Sequence, residues 1–251
     1  MEFLKIALPE FIGTMILILL GNGIVANVLL SKTKGNRGQT SGWNEIVWAW
    51  GLAVFIGATA SSLSGANLNP AVSLTLLIAG KISIANLFIY IVFQLLGAIA
   101  GQLLVILIYW NHYQCTKDPE LIKFTHCTAP AIRSYVHNWF SEFIGTIILL
   151  VAVFLTIGMT RLQGTGQINN FKAASIFGPM VVGMTVVAIG YSLGGTTGYA
   201  INPVRDLGPR IVYALFPFKN KISSDWQYAW IPIVAPLSAA AVTGGLFLLF
   251  Q

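Results

Sequence analysis

Two stretches decide the fold: Ser64-Gly-Ala-Asn-Leu-Asn-Pro-Ala71 and Gly198-Tyr-Ala-Ile-Asn-Pro-Val-Arg-Asp206. Each centres on an Asn-Pro pair, Asn69-Pro70 and Asn202-Pro203, offset by 133 positions (69 to 202) in a chain of 251 residues. Asn is a strong helix N-cap, and Pro is favoured at the first helical position, where its missing N–H costs nothing. Each pair therefore opens a helix. The first apolar piece stops at Gly80-Lys81 and the second fades near Phe216, short of the ~20 residues that cross a ~30 Å hydrocarbon core. A half-helix of ~10 residues rises ~15 Å. Two of them entering from opposite faces meet near the middle, each N-terminus carrying about half a positive charge.

Residues Ser64–Leu68 and Gly194–Ile201, just before the pairs, are rich in Gly, Ser and Thr. Irregular backbone at membrane depth is tolerated only where protein buries it or it lines water. These stretches predict ladders of carbonyls along a pore, with the side chains of Asn69 and Asn202 offering N–H donors to what passes. A lone Asn-Pro reads first as a turn between helices. Two pairs at a repeat spacing read as half-helices.

The rest of the chain agrees. It is 56% apolar and 9% charged, where a soluble domain carries roughly 25% charged residues, so most of its surface must face lipid. The net charge of +6 bears on loops and topology, and its scatter argues against nucleic acid. The N-terminal apolar stretch lacks a basic leader and a small-residue cleavage site, and reads as a retained helix. Spans are expected at about Phe3–Leu30, Trp43–Leu63, Ile82–Trp110, Asn138–Thr160, Ala173–Leu193 and Trp226–Phe250, with a short piece after the second and the fifth. Gly97 and Gly101 form a small-xxx-small pair suited to close helix contact.

Glu10-Phe-Ile-Gly-Thr14 recurs as Glu142-Phe-Ile-Gly-Thr146, an offset of 132 (10 to 142). Two markers with nearly one offset indicate an internal duplication. An odd number of crossings per half makes it an inverted repeat. The expected organisation is one transmembrane domain over residues 1–251, with repeats at about 1–111 and 138–251 joined by a polar loop, 112–137. That loop holds Cys115 and Cys127, which allow one disulfide and no framework. His112, Cys115, His126 and Cys127 match no zinc spacing, so no metal or cofactor is expected. No nucleophile–base constellation is present, which excludes an enzyme. Glu10 and Glu142 are intramembrane carboxylates, either proton carriers or acceptors for the backbone of the pore loops. Their symmetric placement favours the second role.

At these residues the sequence resembles the aquaporin family, and within it the aquaglyceroporins, or glycerol facilitators. The motifs are Ser64–Val72 and Gly198–Pro209, with the Glu-Phe-Ile-Gly-Thr starts and Gln94-Leu-Leu-Gly-Ala98. The resemblance implies an all-α membrane fold of six transmembrane helices plus two half-helices, a pore in each subunit, a homotetramer, and a multi-pass plasma-membrane protein with cytoplasmic termini. It also implies a narrow constriction: Arg205 as its arginine, Trp50 from the second span as its aromatic, Tyr199 where glycerol facilitators usually carry Phe, and Gly190 where strict water channels carry His. Asp206 after Arg205 marks the polyol-conducting branch. Trp50 and Tyr199 would then form an apolar wedge for a carbon backbone. Substrate hydroxyls would face Arg205, which has five donors and never loses its charge, and the carbonyls of Gly65, Ala66, Thr197 and Gly198. A missing side chain at Gly190 would widen the ring.

The sequence departs from the family pattern at Asn67, where His is usual, at Val204 in place of Ala, and at Tyr199. These departures leave the solute open among glycerol, urea, other small neutral molecules and undissociated small acids, with water alongside. The alternatives are a strict water channel and an ion-coupled secondary transporter. The side opposite the termini carries nine basic residues once Arg205 is set aside as a pore residue, against four on the side of the termini, Lys5, Lys81, Arg161 and Lys172. A positive-inside rule would put the termini outside, against the topology that the resemblance implies.

Overall fold

The computed structural model describes residues 2–36, 42–162 and 171–249. Among these the secondary structure is helical: α1 (Glu2–Leu29), α2 (Gly42–Ala60), α3 (Pro70–Ile78), α4 (Ile84–Cys115), α5 (Pro119–Phe124), α6 (Tyr135–Leu162), α7 (Phe171–Ser192), α8 (Pro203–Leu215), α9 (Trp226–Ala229) and α10 (Ile231–Leu248). By length and composition, α1, α4, α6 and the α9–α10 stretch can each cross a bilayer. The helices α2 and α7 complete the six expected spans, and α3 and α8 are the two short pieces.

Both short helices start where the Asn-Pro chemistry requires. Asn69 caps α3 by accepting from the Ala71 N–H at 2.9 Å. Asn202 caps α8 by accepting from Val204 N–H at 3.2 Å and Arg205 N–H at 3.4 Å. Pro70 and Pro203 hold the first helical positions. At 1.5 Å per residue, α3 rises about 14 Å and α8 about 20 Å, so end to end they match the ~30 Å hydrocarbon core.

Helix packing repeats by halves. The contacts α1–α2, α1–α4, α3–α4 and α4–α8 recur as α6–α7, α6–α10, α8–α10 and α10–α3, and α2 packs on α7. Exchanging α1, α2, α3 and α4 with α6, α7, α8 and α10 maps this pattern onto itself, as an inverted repeat requires. The Gly97/Gly101 pair on α4 meets α1. A methyl group at either position would stand 2.4 Å from the Phe11 carbonyl oxygen or 2.5 Å from that of Met15.

The stretch 112–137 departs from the expected polar loop. The helix α4 runs on to Cys115, α5 follows, and α6 begins at Tyr135. Tyr113, Ile122, Thr125, His126 and Cys127 are buried. The His126 ring packs among Tyr113, Tyr213 and Phe218 with centroids 5.1–5.7 Å away. Aromatic residues carried by this segment and by the end of α8 make it a packed cap, which its polar composition conceals. Cys115 is exposed, Cys127 is buried, and both are free thiols.

Candidate functional site

The site is built from the two loops that lead into α3 and α8. Backbone φ is positive at Gly65, Ala66 and Leu68 (89°, 55°, 53°) and at Gly198, Tyr199 and Ile201 (82°, 37°, 42°). These are the same three positions of each loop at an offset of 133 (65 to 198). Left-handed backbone costs a non-glycine residue roughly 1–2 kcal/mol, so four such residues need external support.

Glu10 and Glu142 supply it. The Glu10 carboxylate accepts from the N–H groups of Asn67 (3.0 Å) and Leu68 (2.8 Å), the Ser64 hydroxyl (2.6 Å) and the Gln94 amide (2.8 Å). Glu142 accepts from the N–H groups of Ala200 (2.9 Å) and Ile201 (2.7 Å). Both carboxylates are fully buried. With their oxygens engaged by the loops, they are placed as backbone acceptors. Tyr90 adds a hydrogen bond from its hydroxyl to the Ser64 carbonyl.

The half-helices join through reciprocal bonds. The Asn69 amide donates to the Ile201 carbonyl at 2.8 Å, and the Asn202 amide donates to the Leu68 carbonyl at 2.9 Å. A carboxamide has two N–H donors, so each Asn keeps one beyond this junction. Asn67 stands where the family usually has His, and its amide donates to the Ser73 hydroxyl on α3 at 3.0 Å. Its side chain thus ties the first loop to its own half-helix.

Trp50 and Arg205 are brought together. The guanidinium lies 4.0 Å from the centroid of the indole, a cation–π contact. Both residues are buried. Among the described residues the guanidinium makes no hydrogen bond, and the Trp50 indole N–H and Tyr199 hydroxyl have no partner. Tyr199 packs edge-on against Trp43 with centroids 5.8 Å apart. Gly190 does not open empty space, as its missing side chain suggested: a methyl group there would meet Val47 Cγ1 at 2.9 Å and Tyr199 Cζ at 3.1 Å. The Tyr199 ring and Val47 fill that room. Thr197 and Gly198 lie in the loop between α7 and Asn202, as Gly65 and Ala66 do between α2 and Asn69.

Asp206 faces away from this cluster. One of its oxygens accepts from the Thr128 N–H (2.8 Å) and hydroxyl (2.7 Å), and both pair with Arg210 at 2.6 and 2.9 Å. Arg210 also donates to the carbonyls of Thr128, Ser224 and Asp225. Arg210, one of the nine basic residues on the side opposite the termini, is fully buried and is no exposed charge there. The nine basic residues on that side become eight. The spacing of Asp206 and Arg210, four apart on a short helix, was the available signal. Outside the spans, Asp225 is held below the usual carboxylate range: burial opposes the shift, and the hydrogen bond and charge of Arg133 outweigh it.

Two half-helices meeting head to head inside apolar spans, with an arginine stacked on a tryptophan beside the junction, define an integral membrane protein of aquaporin-like architecture. The sequence model described as "Major intrinsic protein" matches residues 1–247, and the chain belongs to that family. Glycerol uptake facilitator protein 3 of Lactiplantibacillus plantarum is 48% identical over 241 residues, covering 96% of this chain and 94% of the relative. A probable glycerol uptake facilitator protein of Thermotoga maritima is 43% identical over 245 residues, 97% and 98% of the two chains. The X-ray structure of the aquaglyceroporin from Plasmodium falciparum superposes with a TM-score of 0.82 at 32% identity, covering 98% of this chain and 95% of that one.

Proposed function

We propose that this protein is a passive pore for glycerol and other small uncharged solutes, with some water, that refuses ions and protons. The observation that carries the reading is the Arg205 guanidinium, stacked on Trp50 and, among the described residues, without a hydrogen-bond acceptor. A buried cation beside irregular backbone needs either an acceptor or a lumen. Polyol hydroxyls supply acceptors, and Trp50 and Tyr199 supply an apolar wall for the carbon backbone. Solute then passes along the carbonyls of Gly65, Ala66, Asn67, Thr197 and Gly198, and past the free N–H of Asn69 and Asn202. Arg205 and the positive ends of α3 and α8 repel cations. The names of the relatives, glycerol facilitators over nearly their whole length, support the same solute.

The same reading takes Glu10, Glu142 and Asp206 as supports of the loops rather than carriers of protons. It takes the whole chain as one domain with repeats at about 1–111 and 138–251, and the assembly as a homotetramer in the plasma membrane with cytoplasmic termini. Stopped-flow light scattering of proteoliposomes after a glycerol step tests it. Fast re-swelling without any ion gradient is expected. Uptake that needs an ion gradient, or that saturates at low glycerol, overturns it.

A further inference from the structure

The benzo ring of Trp50 lies against a gap in α1. A methyl group at Gly21 would stand 2.4 Å from Trp50 Cζ3 and 2.5 Å from Cε3 and Cη2. Three consecutive ring carbons at nearly one distance place that methyl over the face of the ring, because an edge-on approach would leave the outer two markedly farther. Arg205 stands over the same indole at 4.0 Å. The α1 backbone and a guanidinium at such distances cannot share one face. The indole is therefore a plate held between the Gly21 backbone and Arg205.

The helices on either side of this plate already touch their outer neighbours at backbone distance, so they have little room to part. Gly57 of α2 is close enough to α1 that a methyl there would be 2.7 Å from the Gly13 carbonyl oxygen. On its other side α1 rests on Gly97 and Gly101 of α4. On the far side of α2, Gly51 and Gly183 of α7 approach with equal closeness: a methyl on either would be 2.6–2.7 Å from the other's carbonyl oxygen. Backbone contacts thus leave α1, α2, α4 and α7 little room around Trp50, and added bulk at Gly21 presses on the indole and, through it, on Arg205.

We infer that Gly21 is a positioning residue for selectivity: its missing side chain sets the depth of Trp50 and, through the stack, the place of the Arg205 guanidinium. The inference rests on the reading of Trp50 and Arg205 as the pore constriction. Gly23, two residues along the same helix, has none of the described residues within 4 Å of where its methyl would be, which makes it the matched control.

The test is Gly21→Ala, with glycerol and water permeabilities measured in proteoliposomes, beside Gly23→Ala, Trp50→Phe and the double variant Gly21→Ala/Trp50→Phe. Overpacking of a closed site should lower the glycerol-to-water ratio about tenfold in Gly21→Ala. Gly23→Ala should leave the ratio unchanged. Phe lacks the benzo ring that the methyl meets, so on the Trp50→Phe background the alanine should no longer change the ratio, a coupling that a general packing defect would not produce. An unchanged ratio in Gly21→Ala overturns the inference. So does an equal effect of the alanine on both backgrounds. If Gly21→Ala does not fold, a folded double variant supports the contact and an unfolded one overturns it. A wild-type protein without glycerol flux refutes the channel reading instead, and the dependence of folding on the Gly21–Trp50 pair still tests the contact.

Discussion

Replacing Glu142 by Gln tests what holds the second loop open. Each oxygen of Glu142 accepts one backbone N–H, from Ala200 and from Ile201. The amide keeps one acceptor and turns an –NH2 toward the other N–H. One charge-assisted bond of about 1.5–3 kcal/mol is lost, the surviving bond falls to about 1 kcal/mol, and a buried donor is left without a partner. Against the remaining ~1 kcal/mol stands the left-handed backbone of Tyr199 and Ile201, at about 1–2 kcal/mol each. Strain then exceeds support. The peptides should turn over, withdrawing carbonyls from the lumen and tilting Tyr199. Glycerol permeability in proteoliposomes should fall more than tenfold.

Glu10→Gln should do less harm. Two of its partners are side chains that can rotate, the Ser64 hydroxyl and the Gln94 amide, and among the described residues the Gln94 carbonyl oxygen has no partner. It can accept from the new –NH2. A Glu142→Gln protein that conducts glycerol at the wild-type rate would refute this account of the loop. A wild-type flux that follows a proton gradient, lost in Glu142→Gln, would make the carboxylate a carrier instead.

Arg205→Ala should admit larger or charged solutes, measured as sorbitol and ion leak in the same vesicles; unchanged selectivity would place the constriction elsewhere. A maleimide at neutral pH should label Cys115, which is exposed, and spare Cys127, whose thiol is buried and pushed up to about 12; mass spectrometry showing two labels per folded chain would contradict that. His126 is held down to about 3 chiefly by burial, with the Ile122 carbonyl opposing the shift. The unfolded chain takes up a proton below about 6.5 and the folded one does not, so His126 contributes no penalty above that pH and an increasing one from there down toward 3. At pH 5 this comes to about 2 kcal/mol, and His126→Gln should shrink the loss of thermal stability between pH 7.5 and 5; an equal loss in both proteins would refute it.

The half-helices were legible in the sequence because their chemistry is local: an Asn cap, a Pro at the first position and too few apolar residues to span. The duplication was legible because Glu10 and Glu142 keep their neighbours. The pairing of Trp50 with Arg205 followed only from the family's motif, since no spacing rule brings α2 to α8. What stayed hidden depends on contacts between distant segments. The buried Arg210 looks like any surface cation until Thr128, Ser224 and Asp225 surround it. Gly190 looks like open space until the Tyr199 ring fills it. The cap at residues 113–128 looks polar because its buried aromatic partners, Tyr213 and Phe218, lie some ninety residues away (128 to 218).

The placement of strain explains why the carboxylates are buried so deeply. Glycine relieves the left-handed backbone at one position in each loop, Gly65 and Gly198, yet Ala66, Leu68, Tyr199 and Ile201 carry side chains there. Two of these have evident work: Tyr199 packs against Trp43 and Gly190, and Leu68 reaches α1, where a methyl at Gly13 would touch it at 2.7 Å. Glycine throughout would remove the strain and also the groups that shape the wall and anchor the loop. A charged acceptor at each loop permits both, because a carboxylate bond is worth more than one left-handed residue costs. The same bonds that stabilise the loops therefore fix the direction of their carbonyls, and selectivity cannot be altered at Glu10 or Glu142 without altering stability.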